Sequence, residues 1–91
     1  MPLTFEQLAG SVQEWAAARG IYAHSNARAQ LLKAFSEMGE LADAEIKGDG
    51  LAARDAVGDV LVCLINFCAM RPMARCYWAP GGRYGALRGL S

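Results

Sequence analysis

Residues 30–67 read QLLKAFSEMGELADAEIKGDGLAARDAVGDVLVCLINF, and this stretch decides the fold. Leu31, Leu32, Phe35, Met38, Leu41, Ala42 and Ile46 recur at the three- and four-residue steps of an amphipathic helix, which predicts a helix from about Ala27 to Lys47. Gly48 is a natural residue to end it, and Lys47–Gly50 (KGDG) is a turn short enough to force an antiparallel partner. That partner should begin near Leu51 to Ala53 and run to about Met70, where Arg71-Pro72 stops it. From Val60 onward it is apolar nearly all round, so it is expected to be the central, most buried helix.

Upstream, Thr4 and Gln7 form a capping-box pattern for a helix carrying Phe5, Leu8, Val12, Trp15 and Ala16 on one stripe and ending at Gly20. IYAHSN (Ile21–Asn26) reads as a connector, with Ser25 or Asn26 capping the next helix. Downstream, residues 71–91 hold Pro72, Pro80, Gly81, Gly82 and two more glycines, and read as a short helix or a tail. The expectation is one all-α domain over residues 1–91: an antiparallel bundle of three main helices plus a short C-terminal segment.

The chain is 54% hydrophobic, high for 91 residues, so part of the apolar surface is expected to be subunit interface in a homo-oligomer. The formal net charge is +0, which argues against a generic nucleic-acid binder. Charge is nonetheless segregated: seven of the nine acids lie between Glu37 and Asp59, and Arg71, Arg75, Arg83 and Arg88 follow with no acid among them. An acidic centre with a basic tail suits a metal and a polyphosphate. Cys63, Cys68 and Cys76 lack metal-ligand spacing and read as free thiols of a reducing cytoplasm. The start MPLTFEQ has no signal-peptide pattern, and the longest apolar run, Val60–Met70, is about half a bilayer span. The expectation is a cytoplasmic protein with no membrane partner.

Four carboxylates carry the chemistry. Glu37 and Glu40 are spaced i, i+3 on the first long helix, and Asp55 and Asp59 are i, i+4 on the second, so each pair shares one face of its helix. The hairpin brings the pairs together, where unpaired acids would repel. Solvated surface charge is the bland alternative, but both pairs sit among core-forming residues. A hard divalent ion with oxygen ligands is the expected counter-charge. The one histidine, His24, lies outside both helices, which favours Mg²⁺ or Mn²⁺ over iron.

QLLKAFSEMGELADA, a short spacer and DAVGDVLVCLINF together resemble the MazG-like, all-α nucleoside triphosphate pyrophosphohydrolases. In that family a Lys stands one turn before E-x-x-E-L, and an E-x-x-D opens a long apolar helix. Lys33, Glu37, Glu40, Leu41 and Asp59 match; the family's first acid of the second pair falls on Ala56 here, with Asp55 one residue earlier. Trp15, Arg19, Gly20 and Ile21 also resemble small phage-type members, and the likeness spans about residues 8–70. It implies Mg²⁺- or Mn²⁺-dependent cleavage of a (deoxy)nucleoside triphosphate to the monophosphate and pyrophosphate by an oligomer, a dimer or dimer of dimers. Glu37, Glu40 and Asp59 would be metal ligands and Asp55 a fourth ligand or base. Similarity to the MazZ branch suggests dGTP, converted to dGMP, as substrate. For a phage-encoded enzyme the location would be the host cytoplasm.

Each remaining candidate has a structural alternative. Lys33 would bind phosphate, or offset Glu37 as an i, i+4 pair. Asn66, two turns after Asp59, would bind sugar or phosphate, or bridge two helices by a hydrogen bond. Trp15 could stack on a base, or pack in the core. Ser25 and Asn26 could read base edges, or cap a helix. Arg71, Arg75 and Arg83 could close over phosphates, or be solvated surface. Two non-enzymatic functions also fit the sequence: a nucleotide- and metal-binding sensor that has lost turnover with Ala56, and a non-catalytic helical interaction module.

Overall fold

The computed structural model describes residues 3–71, and among these the chain is entirely helices and short links. Helix α1 spans Phe5–Ala18. Its capping box forms: Gln7 N donates to Thr4 Oγ1 at 3.1 Å and Thr4 N to Gln7 Oε1 at 2.9 Å, so two otherwise orphaned donors are satisfied. Gly20 follows with φ 76°, left-handed backbone that costs a side chain strain, and a Cβ there would meet His24 Cδ2 at 3.2 Å. The expected connector at Ile21–His24 is instead one turn of helix, α2. The glycine reverses the chain and the next residues close a turn upon it, through His24 N to Gly20 O at 3.1 Å.

Helix α3 runs Ala27–Lys47, capped by Asn26, whose Oδ1 accepts from Ala29 N at 2.8 Å. Gly48, at φ 72°, ends it in the left-handed conformation expected of a C-terminal glycine. Helix α4 runs Gly50–Met70 and starts slightly earlier than its apolar pattern suggests, because Asp49 caps it by accepting from Ala52 N at 3.1 Å. The two-residue link makes α3 and α4 an antiparallel hairpin, packed along its length. Helix α1 also packs on α4, so α4 is the central helix, as its composition predicts. No described helix is long and apolar enough to cross a membrane. The expected C-terminal short helix or tail, from Pro72 on, lies outside the described residues.

The core is not the one the apolar periods suggest. Buried apolar positions are six alanines (Ala9, Ala16, Ala27, Ala34, Ala44 and Ala56) with Val60, Cys63 and Ile65. Phe5, Leu8 and Trp15 of the α1 stripe are exposed, as are Leu31, Leu32, Phe35, Met38 and Ile46 of the α3 stripe. Small side chains let helix backbones approach closely. The α3·α4 seam therefore closes mainly on alanines with Val60 and Cys63, and most of the large apolar residues of α3 remain outside.

Candidate metal and phosphate site

Glu37 lies beside this seam, half-exposed, with Glu40 one turn further along α3 and Asp59 across on α4, both exposed. The Glu37 carboxyl is pushed above its usual 4.5, first by a hydrogen bond to Glu40, then by burial and by the charges of Glu40 and Asp59; Lys33 acts in the opposite sense. The fold thus brings Lys33, Glu40 and Asp59 within electrostatic reach of Glu37. Beneath them is Cys63, buried, its thiol pushed up chiefly by burial and further by Glu37 and Asp59, against Lys33. A thiol held protonated is a poor nucleophile. Cys63 is thus a buried residue within electrostatic reach of Glu37 and Asp59, and its place one turn after Asp59 is its sequence signal.

The acids occupy one side of the hairpin. On α3, Glu40 and Lys33 fall to one side of the buried Ala34 and Ala44, while Leu31, Phe35 and Met38 fall to the other. On α4, Asp59 falls to one side of the buried Ala56, Val60 and Cys63, and Val57 and Leu64 to the other. Because Asp59 raises the Glu37 pKa, the two acid sides coincide, and so must the two apolar sides. Asp55 stands exposed one turn before Asp59 on α4. Ala56, where the resembled family has an acid, is buried in the seam.

Among the described residues, no three His, Cys, Asp or Glu side chains are gathered closely enough to hold a metal ion. Like charges lower their energy by standing apart in water. The donor chemistry, all carboxylate oxygen with a lysine alongside, matches a hard divalent cation and a phosphate.

The other candidates divide. Asn66 is 1% exposed, and its Oδ1 accepts from Tyr22 Oη at 2.8 Å, so it ties α2 to α4. The helix-bridging alternative holds for that oxygen. Nothing in the sequence pattern pairs Tyr22 with Asn66 across so many residues. Asn26 is the α3 cap, and Ser25 Oγ accepts from the buried Gln30 Nε2 at 3.2 Å. Trp15 is 45% exposed, which corrects its core-packing alternative; Arg19 lies 5.0 Å from its ring centroid, covering one face. Arg71 lies over the Phe67 ring at 5.8 Å. Arg75 and Arg83 lie outside the described residues. Comparison of the chain with protein-family models, curated proteins and solved structures finds no match.

Proposed function

We propose that the acid side of the α3·α4 hairpin is the active site of a Mg²⁺- or Mn²⁺-dependent nucleoside triphosphate pyrophosphohydrolase, and that the chain works as a homo-oligomer, a dimer or a dimer of dimers. One observation carries the reading: the Glu37 carboxyl is pushed up by Glu40 on its own helix and by the charge of Asp59 on the second, with Lys33 one turn away acting against them. Like charges at this spacing disfavour one another, and a divalent cation would offset them.

Glu37, Glu40 and Asp59 would hold the cation, and Asp55 would serve as a fourth ligand or as the base that takes a proton from water. A divalent cation supplies neutralisation of phosphate oxygens and a more acidic bound water. Lys33 offers a compact ammonium beside the acids, suited to orienting a triphosphate. The α3·α4 seam fixes the acids on two rigid helices, so their positions do not depend on a loop. The balanced reaction is attack of water oxygen on the α-phosphorus, cleavage of the bond to the bridging oxygen, and departure of pyrophosphate, leaving the monophosphate. The preferred substrate on this reading is dGTP. Trp15, exposed on α1, is an aromatic group on which a base could stack.

The test is pyrophosphate release from the common NTPs and dNTPs with Mg²⁺ or Mn²⁺, with Asp59→Asn as control. Metal-dependent release, greatest with dGTP and lost in the variant, is the expected result. No release with any substrate overturns the enzymatic reading. Thermal stabilisation by nucleotide and metal would then identify a sensor, and its absence a helical interaction module.

A further inference from the structure

We infer that the side of the hairpin opposite the acids is a self-association surface, on which α3 of a second copy of this chain lies antiparallel to α3 of the first. The inference deepens the homo-oligomer reading above by assigning its interface; it does not depend on the enzymatic one.

The seam between α3 and α4 buries mainly alanines, each a small gain at about 0.8 kcal/mol per buried methyl-sized group. The large apolar residues of α3 are left in water: Phe35 is 81% exposed and Ile46 84%, with Leu31 and Met38 about half-exposed. Leu31, Phe35, Met38, Ala42 and Ile46 follow one stripe of α3, about 22 Å long at 1.5 Å per residue. Val57 and Leu64 of α4 flank it on the same side of the hairpin. Together these side chains offer roughly 600–700 Å² per copy, close to the ~800 Å² per partner of a standard interface.

The stripe is also complementary to itself. A twofold axis between Met38 and Gly39, perpendicular to α3, sets Leu31 against Ile46 of the second copy and Phe35 against its Ala42. Met38 then meets Gly39. Each pair sets a large residue against a small one or two of similar bulk, as interdigitating helices require. A Cβ added to Gly39 would have no neighbour within 4 Å, so nothing within the described chain uses the space the glycine leaves. The stripe carries no charge and the chain has a formal net charge of +0, so two copies do not repel. Two hairpins joined this way make a four-helix bundle with isologous symmetry, its acid sides facing outward.

The test is the mass of the full-length chain by sedimentation and light scattering, from low micromolar to sub-millimolar concentration. The wild-type chain is expected at twice 9.7 kDa or a higher even multiple. Phe35→Glu and Gly39→Lys should each weaken association at least about 30-fold, the loss typical of an interface hot spot. Gly39→Lys guards against misfolding, because its side chain enters open space and lysine favours helix more than glycine does. A monomeric wild-type chain throughout that range overturns the inference and points to residues 72–91 or another protein as the cover. An oligomer whose mass and affinity are unchanged in a folded Gly39→Lys variant overturns it too, by placing the interface elsewhere. Pyrophosphate release from the same samples separates a failure here from a failure of the enzymatic reading.

Discussion

The two sides of the α3·α4 hairpin present opposite problems to water. One concentrates carboxylates, where Glu40 and Asp59 push the Glu37 carboxyl above its usual pKa. The other concentrates large apolar side chains, led by Phe35, Leu31 and Met38. Among the described residues, Lys33 offsets the acids only in part, and Phe35 and Ile46 stand well exposed on the other side. The pair teaches that a residue's period on a helix fixes which neighbours share its face, while what meets that face decides whether it becomes core, interface or site. A thin seam of alanines separates the two, so a single helix pair can serve both.

The largest effect is expected on the acid side. Glu40→Gln and Asp59→Asn should each lower metal-dependent turnover by more than about 100-fold, since even residues that only support metal ligands cost 10–100-fold. Steady-state pyrophosphate release measures this, and the oligomer mass should not change. If both variants keep near-normal turnover, the acid side is not the site.

Next comes the seam itself. Ala56→Glu restores the acid of the resembled family at a buried position. With no cation it should destabilise the fold by about 3–5 kcal/mol, the cost of an uncompensated buried charge. Chemical denaturation checks this, and Mn²⁺ should return part of the loss. A variant as stable as wild type without metal would mean that position 56 opens to the acid side.

A smaller effect follows from the sign of the Glu37 shift. A carboxyl whose pKa is raised on folding binds more protons folded than unfolded, between its ordinary 4.5 and the raised value. The metal-free chain therefore loses stability as pH rises through that window, having its full share below it. Thermal melts across the window should show the decline, and Glu40→Ala should flatten it by removing both the hydrogen-bonding group and the neighbouring charge. An unchanged slope in that variant would detach Glu37 from Glu40. The smallest effect is expected away from both sides: Asp43 and Lys47 pair at 2.9 Å but are well exposed, so Asp43→Ala should cost no more than about 0.5 kcal/mol.

Helix boundaries were legible in the sequence because caps are local. Thr4 with Gln7, Asn26, and Gly48 after Lys47 each act within a few residues of themselves, and each does in the fold what its pattern predicts. Gly20 was legible as an end to α1, but not the helical turn that follows it. The identity of the core was not legible. Hydrophobic size draws attention to Phe35 and Ile46, whereas close helix packing selects Ala34, Ala44 and Ala56, which carry little signal. The juxtaposition of Glu37, Glu40 and Asp59 followed from helical spacing and a short turn. The Tyr22–Asn66 hydrogen bond did not, since it joins residues whose nearness depends on how α2 folds back on α4.

The most direct test of the account is Mn²⁺ binding to the metal-free chain at neutral pH, followed by loss of the free-ion electron paramagnetic signal. The account predicts saturable binding in the wild-type chain, abolished in the Glu40→Gln, Asp59→Asn double variant and unchanged in Phe35→Glu, whose substitution lies on the opposite side. Binding that survives in the double variant, or is absent from the wild-type chain, would contradict it.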